Sequence, residues 1–250
     1  MTPAEKKGDL MEYRYETHCH GSQCSLCAQS TAQMLVRAYK KAGYAGMVLT
    51  DHFIFGYTAV PATLPWDQRM RRYYGAYLDA KAVGDELDFD VIFGIEHAYG
   101  DGKEVLIYGV ELDFLLVNPD IPNISLDELV QRVHEAGGIV IQAHPYRNRY
   151  YTNMAVGPRA DIVDGIEVHN ACNDPGEDLP ALRLAQTKDY IITSGGDIHW
   201  IEDPELATAG VVLPHRVRTS KEFADALKRR QHKYLVGGKV LDQLQENDLP

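Results

Sequence analysis

Short apolar segments alternate with amphipathic helical segments along this chain, and this alternation constrains the fold more than any other sequence feature. Segments 47–49 and 139–141 read as buried strands, and each follows a helical pattern that opens at Ser30 or Ser125 and closes on glycine. Ser125 and Glu128 have the spacing of a capping box, which marks a helix start. Because adjacent parallel strands are usually joined by a helix, the pattern predicts an α/β fold with a parallel sheet, open or closed into a barrel.

The chain shows no internal repeat and no linker rich in Pro, Gly or Ser, so we expect residues 13–250 to form a single domain. Residues 1–12 are predicted to form a flexible tail. No segment approaches the roughly 18 apolar residues that a membrane span requires, and the N-terminus has no apolar core of signal-peptide length. These features predict a cytoplasmic protein without a membrane partner and leave the oligomeric state open.

Imidazole or carboxylate side chains follow six of the predicted strands directly. In parallel α/β folds the carboxyl ends of the strands meet at one edge, where functional residues concentrate. The residues at these ends are His18, His20, Asp51, His52, Glu96, His97, His144, His169, Asn170, Asp197 and His199. We therefore predict one polar site at the carboxyl ends of the strands.

The spacing within this set favours metal binding. Side chains two residues apart on a strand point to the same side, so His18 and His20 can reach one ion, as can Asp197 and His199. Imidazole and carboxylate suit Zn, Mn or Fe, and the candidate ligands outnumber those that one tetrahedral ion takes. We expect more than one divalent ion, with Glu96 as the natural bridging carboxylate of a two-metal centre.

Three of the four cysteines crowd into residues 19–27, and two interpretations stay open. Cys19, Cys24 and Cys27 can be thiolate ligands of a structural zinc ion, or they are small buried residues, which is the default. Cys19 stands between two proposed ligands and should point away from them. Close spacing without an export signal does not indicate a disulfide framework.

The charge balance restricts the partners. The chain carries 25 Lys and Arg against 36 Asp and Glu, a formal net charge of −11 at pH 7. Because binding along a phosphate backbone needs a surplus of basic residues, this balance predicts no extended nucleic-acid partner. A small phosphorylated substrate stays compatible, because carboxylates that face metal ions do not repel it.

Taken in chain order, these motifs resemble those of the PHP family, named for polymerase and histidinol phosphatase. The resemblance rests on His18-Cys19-His20, Leu49-Thr50-Asp51-His52, Gly94-Ile95-Glu96, Ala143-His144-Pro145 and Gly196-Asp197-Ile198-His199. It implies a distorted (β/α)7 barrel with two or three metal ions at the carboxyl ends of the strands. It also implies an enzyme that cleaves phosphoesters through a metal-bridging hydroxide.

The resemblance implies a role for individual residues. The residues that correspond to ligands of the first metal, with Glu96 bridging, are His18, His20, Glu96 and Asp197. His144 corresponds to a ligand of the second metal, and His52 and His199 correspond to ligands of the third.

Two positions depart from the family pattern. The family usually places Asp or His five or six residues beyond the His-x-His pair as a ligand of the third metal, but Ser25 and Leu26 stand here. The third site is therefore weak, empty or completed otherwise. Where the family often has a His before the strand that follows the bridging Glu, this chain has Glu104. Glu104 is either a ligand that favours harder ions such as Mn or a solvent-facing strand residue.

Residues near the proposed metals are candidates for substrate contact and proton transfer. Arg147 and Arg149 can make forked contacts with phosphate, or they belong to a solvated loop; Asn170 can line the pocket. The candidate proton donors to the leaving group, which the sequence does not rank, are His52, His169 and Asp51.

The predicted function is metal-dependent hydrolysis of small-molecule phosphoesters, such as histidinol phosphate or nucleotides. One alternative is an amidohydrolase-type enzyme that acts on C–N bonds; that class also opens with His-x-His but ordinarily ends with a single Asp. Another alternative is a non-catalytic metal-binding PHP module, which would fit the departure at Ser25.

Overall fold

The computed structural model describes residues 12–250, so the predicted tail lies outside the described part of the chain except for Glu12. The strands of the described part are β1 (Tyr13–Cys19), β2 (Gly46–Leu49), β3 (Asp90–Phe93), β4 (Ile95–Gly100), β5 (Lys103–Tyr108), β6 (Ile139–Gln142), β7 (Gly165–Asn170), β8 (Ile191–Gly195), β9 (Gly210–Leu213), β10 (Lys233–Val236) and β11 (Lys239–Leu241). The α-helices are α1 (Ala32–Lys41), α2 (Trp66–Leu87), α3 (Leu112–Val117), α4 (Leu126–Glu135), α5 (Asp178–Ala185) and α6 (Ser220–Lys228). No helix of the described residues combines the length and apolar character that a membrane crossing requires.

The strands form two sheets, with six strands in the order β11-β10-β9-β1-β2-β3 and five in the order β4-β5-β6-β7-β8. Both sheets are mixed, so the expectation of a parallel sheet is wrong. Strands β4 and β5 are antiparallel because a tight turn at Gly100 and Gly102, both at positive φ, joins them without a crossover helix. Parallel pairing is found between β1 and β2, β2 and β3, β6 and β7, and β7 and β8.

The two sheets adjoin along two seams. At one seam the backbone N–H of His20 donates to the carbonyl of Ile198 at 2.9 Å, next to a parallel bridge between Cys19 and Ile198. At the other seam His52 bridges Glu96, and the N–H of Phe53 donates to the Glu96 carbonyl at 2.9 Å. These seams are isolated bridges outside continuous strand pairing, so the described strands form two sheets and not one closed barrel. The α/β class is thus confirmed, and the seven-stranded barrel stays a prediction.

The helices follow their sequence signals closely. Helix α1 is capped by Thr31, whose hydroxyl accepts from the N–H of Met34, whereas Ser30, the predicted cap, accepts from the N–H of Ile201. Helix α4 is capped by Ser125 as predicted, through the N–H of Glu128. Each of these caps satisfies a backbone donor that the helix itself leaves free.

Side chains of both sheets share one apolar cluster. It contains Val48 of β2, Leu106 of β5, Ile141 of β6 and Val211 of β9, and Phe223 of helix α6 packs against them. All five are at most 2% exposed, so burial from both sheets contributes to a common core. This shared core holds the two sheets together and fixes the position of the strand ends.

Candidate metal centre

Side chains from both sheets converge on the carboxylate of Glu96, which lies on β4 and is 1% exposed. Its Oε1 atom lies 3.1 Å from Nε2 of His18 and 3.1 Å from Nε2 of His144. Its Oε2 atom lies 2.7 Å from Nδ1 of His52 and 3.5 Å from Nε2 of His20. One buried carboxylate therefore contacts four imidazoles, as a bridging ligand of a metal cluster does.

Ligand atoms of these and neighbouring residues form four groups in which all atoms lie within 4.8 Å of one another. The groups are His18, His20 and Glu96; His18, His144 and Asp197; His20, His52 and His199; and His52, Glu96 and Glu104. Together they contain every residue that the sequence predicted as a metal ligand. Glu104 is among them and is not a solvent-facing strand residue, since its carboxylate lies 3.5 Å from Nε2 of His144.

The unpaired atoms of the cluster fit divalent cations. Nε2 of His18, Nε2 of His20, Nδ1 of His52 and Oε2 of Glu96 are buried and, despite the short distances between them, none makes a hydrogen bond of suitable geometry. Buried polar atoms are normally paired, and leaving one unpaired is costly. Imidazole nitrogens and carboxylate oxygens are ligands of Zn, Mn and Fe, so divalent ions would satisfy these atoms.

Glu167 holds two of the candidate ligands in place, and the sequence analysis missed it. Its Oε1 atom lies 3.0 Å from Nδ1 of His18, and its Oε2 atom accepts from the N–H of His144 at 2.9 Å. Asn170 donates to the same carboxylate at 3.0 Å. A carboxylate on the far ring nitrogen fixes the tautomer of a ligating imidazole. The signal that could have found it is a Glu in the otherwise apolar start of β7.

Glu16 is a second residue that the sequence analysis missed. Its carboxylate accepts from the backbone N–H groups of His18 and Gly196 at 2.8 and 2.7 Å and from the Tyr39 hydroxyl at 2.6 Å. Burial raises the pKa of Glu16 to about 7, although these hydrogen bonds oppose the rise. The contact with Gly196 ties β1 to the loop that carries Asp197.

Arg147 binds Asp197 directly. Its guanidinium donates to Oδ2 of Asp197 at 2.6 Å, to Asn170 at 2.7 Å and to Asn173 at 2.9 Å. Burial raises the pKa of Asp197, but His18 and Arg147 outweigh it and hold that pKa well below its usual range. Arg147 thus keeps the Asp197 carboxylate charged and oriented.

Most of the other residues predicted to contact substrate or transfer protons make contacts away from the ligand cluster. Arg149 pairs with Asp174 and Glu177 and does not line the cavity described below. Asp51 accepts from the N–H of Gly21 and the hydroxyl of Ser25, both at 2.7 Å, and so braces a loop. The ring of His169 pairs with buried Asp178 at 2.6 Å. Among the three predicted proton donors, His52 lines the cavity.

A cavity of about 940 Å³ opens onto the cluster. Its polar wall includes Cys27, His52, Glu96, Glu104, Arg147, Asp197 and His199. Its aromatic wall is formed by Phe55, Tyr57, Tyr99, Tyr150 and Tyr151. The cavity therefore combines ligand side chains at its base with flat apolar surfaces at its rim.

Two backbone positions at the cluster are unusual. His144 has φ of +23° and Asp197 has φ of +57°, a region that residues other than glycine rarely adopt. The N–H of His144 donates to Glu167, and the N–H of Asp197 donates to the carbonyl of His18 at 2.6 Å. These contacts hold both residues in the conformation that aims their side chains at the cluster.

The three clustered cysteines do not share one environment. Cys19 and Cys24 are buried and donate to the carbonyls of Val48 and Tyr73, as small core residues do. Cys27 is exposed, and its Sγ atom lies 3.2 Å from Nε2 of His52. Burial raises the pKa of the Cys27 thiol, but hydrogen bonds with His199 and His52 outweigh burial and lower it to about 7. These contacts give no support to a structural zinc ion held by all three thiols.

Comparison with known proteins gives one similar sequence and several similar structures. No family model matches the chain. Over 87 residues, 34% of the chain, the sequence is 36% identical to the uncharacterized protein MJ1587 of Methanocaldococcus jannaschii. The match covers 48% of that protein, so it spans about half the length of the curated relative.

Three solved structures define the class of fold. A two-domain protein of Bacteroides vulgatus that contains a predicted PHP-like metal-dependent phosphoesterase has a TM-score of 0.65 at 13% identity, over 93% of this chain and 67% of its own. Endonuclease Q in complex with a 27-mer duplex substrate has a TM-score of 0.58 at 13% identity, over 88% and 57%. An amidohydrolase of Chromobacterium violaceum has a TM-score of 0.53 at 15% identity, over 75% and 88%. The chain thus has a PHP-like fold, which agrees with the resemblance carried by its motifs.

Endonuclease Q corrects one prediction. The expectation that no extended nucleic acid is a partner is wrong, because a protein of this fold holds a duplex substrate with an abasic lesion at its active site. The inference failed because net charge is an average over the whole chain. A phosphate responds to the local field, and metal ions can be the largest local charges in a site.

Proposed function

We propose that this protein is a metal-dependent hydrolase of phosphoesters. The observation that carries the proposal is the convergence of eight imidazole and carboxylate residues in one cluster centred on Glu96, five of which line one cavity. The PHP-like fold and the description of the Bacteroides vulgatus protein support the same reaction. We further propose that two or three ions bind, drawn from Zn, Mn and Fe.

The residues of the chain have separable tasks in this reaction. Divalent ions held by these side chains would supply Lewis-acid chemistry, activating water at neutral pH and neutralising phosphoryl oxygens. Glu96 holds the centre of the cluster, and Arg147 keeps Asp197 oriented through a contact of 2.6 Å. Glu167 orients His18, since a fixed tautomer presents the ligand lone pair to the ion. We propose that the leaving group of the substrate lies beside His52 and His199, which line the cavity wall.

The substrate is proposed from the shape of the cavity. The aromatic wall provides flat surfaces for the part of a substrate that does not react, and bases stack on such side chains. Phosphomonoesters such as histidinol phosphate or nucleotides are our first candidates. Since a duplex substrate occupies Endonuclease Q, nucleic acid belongs in the same test.

Metal analysis followed by a phosphatase panel tests the proposal. The purified protein is assayed with Mn, Fe and Zn on small phosphomonoesters, an oligonucleotide and a duplex with an abasic site. His18→Ala, Glu96→Ala and Asp197→Ala should each lose metal and turnover. His134→Ala is the matched control, because His134 is a half-exposed histidine that pairs with Asp164 away from the cluster.

Two results would replace this function with an alternative. Turnover of amides or cyclic ureides instead of phosphoesters would indicate C–N hydrolysis. The structural similarity to an amidohydrolase is the reason to test this alternative. Retained metal without turnover of any substrate would indicate a non-catalytic module. Unchanged metal content in all three variants would refute the metal centre itself.

We also propose that residues 13–250 form one domain. The support is the apolar cluster that side chains of both sheets share, since separate domains would each bury a core of their own.

A further inference from the structure

We propose that Cys27 is a thiolate ligand of a third metal ion, together with His52 and His199, and that this ion is zinc. The inference rests on the metal centre of the proposed function, but it does not depend on the reaction that the centre performs. The family usually supplies an Asp or His ligand to the third metal where this chain has Ser25 or Leu26, and Cys27 would take the place of that ligand.

The distance between Cys27 and His52 fits two ligands of one ion. The Sγ atom lies 3.2 Å from Nε2 of His52. Zinc binds sulfur at about 2.3 Å and nitrogen at about 2.0–2.1 Å, so two such ligands in a tetrahedral site lie about 3.5 Å apart. A shift of a few tenths of an ångström would bring both atoms to an ion between them.

The ring of His199 also lies within hydrogen-bond reach of the Cys27 thiol. Its Nδ1 atom donates to the carbonyl of Asp197 at 2.8 Å, which leaves Nε2 as the atom with a free lone pair. The ring stacks on His20 at 4.2 Å, and ligand atoms of His20, His52 and His199 lie within 4.8 Å of one another.

The backbone holds Cys27 in this position from both sides. The N–H of Leu26 donates to the carbonyl of Tyr57 at 2.7 Å, and the N–H of Gln29 donates to the carbonyl of His199 at 2.9 Å. The loop of Cys27 is thus tied to the segments that carry the two histidines. A ligand held before the ion arrives loses little conformational entropy on binding.

Ser25 is not available for the role. Its hydroxyl donates to Oδ1 of Asp51 at 2.7 Å and accepts from the N–H of His52 at 3.0 Å. The same oxygen lies 3.2 Å from Nδ1 of His20. These contacts occupy the hydroxyl fully, whereas the Cys27 thiol faces the cavity.

The ligand chemistry selects the ion. A thiolate is a soft ligand that favours Zn over Mn or Mg, and imidazole suits Zn equally well. One thiolate and two imidazoles leave a fourth position open, which is the arrangement of catalytic rather than structural zinc sites. The third site would therefore differ in metal preference from the carboxylate-rich group of His52, Glu96 and Glu104.

Cobalt substitution gives a direct readout of the sulfur ligand. The metal-free protein is loaded with Co²⁺, and the thiolate-to-cobalt charge-transfer absorption is recorded in the near ultraviolet. The wild-type protein should show the band, and Cys27→Ser should lose it together with about one zinc ion per chain. Cys172→Ser, which removes a part-buried thiol bonded to the Asp197 carbonyl, should keep both.

Alkylation of the wild-type protein supplies a second measurement that needs no variant. Iodoacetamide should modify exposed Cys27 in the metal-free protein, and zinc should slow that modification by at least about 10-fold. A Co²⁺ spectrum without the band, or an alkylation rate that zinc does not change, would overturn the inference. Either result would leave the proposed function standing if His18→Ala still loses metal and turnover.

Discussion

The Oε1 atom of Glu96 lies 3.1 Å from Nε2 of His18, and this contact joins a strand of the five-stranded sheet to a strand of the six-stranded sheet. The same division runs through each candidate ligand group. His18, His20 and His52 come from the six-stranded sheet, and Glu96, Glu104, His144, Asp197 and His199 come from the other. The centre therefore exists only where the two sheets adjoin.

Replacement of Glu96 by Gln should remove metal from the protein without a change of shape. The amide cannot bridge two cations, so we expect turnover to fall by at least about 100-fold and metal content to fall with it. Elemental analysis and kinetics on the active substrate measure both. Glu111→Gln is the control, because Glu111 is bonded to Tyr74 and lies outside the ligand groups. A Glu96→Gln protein with full metal content would contradict the bridging role.

Removal of metal by a chelator should lower the melting temperature. An ion present at about 100 times its dissociation constant stabilises the folded state by about 2.7 kcal/mol. For a chain of this size that corresponds to roughly 5–10 °C, measured by calorimetry before and after chelation. Addition of Zn or Mn should restore the melting temperature of the wild-type protein. It should not raise the melting temperature of Glu96→Gln. A melting temperature that the chelator does not change would mean that the folded protein binds no ion tightly.

Replacement of Ser25 by Ala should destabilise the fold by about 1–3 kcal/mol. The change leaves the buried carboxylate of Asp51 and the backbone N–H of His52 without the hydroxyl that now contacts both. Urea denaturation measures the loss. Ser22→Ala on the same loop, at a partly exposed position, should change stability little. Equal effects of the two substitutions would show that the contacts of Ser25 carry no special weight.

Replacement of His232 by Gln should make the protein less sensitive to mild acid. Burial lowers the pKa of His232 from its ordinary value of 6.5, and its Nε2 atom contacts the carbonyl of Ile192. Below pH 6.5 the unfolded chain takes up a proton that the folded chain resists, so stability falls as the pH falls. The difference in unfolding free energy between variant and wild type should stay constant near pH 8 and shift in favour of the variant in acid. A constant difference at every pH would contradict the expectation.

The sequence predicts those features whose signal is local. The cap at Ser125 lies beside the helix that it starts, the predicted cap at Ser30 is one residue from the observed cap at Thr31, and the His18 and His20 pair follows from the alternation of one strand. Glu104 was open between two interpretations because its neighbours on the chain do not show that His144 lies 3.5 Å away. The structure brings that contact about through the antiparallel pairing of β5 and β6.

Features that depend on distant segments escaped prediction. Glu16 accepts from Gly196, which lies 180 residues further along the chain. Glu167 reaches His18 across 149 residues. A buried carboxylate needs such partners, so a Glu within an apolar strand indicates that partners exist but not which ones. The mixed sheets escaped for a related reason, since strand direction depends on the connection and not on the strand's own residues.

The positive φ angles of His144 and Asp197 cost stability but place two side chains that the metal cluster needs. A left-handed conformation costs about 1–2 kcal/mol for a residue with a β-carbon, and glycine would avoid most of that cost. Glycine at φ of +23° or +57° would nevertheless leave the cluster without an imidazole or a carboxylate. Engineering for thermal tolerance should therefore leave both positions untouched and seek its gains elsewhere.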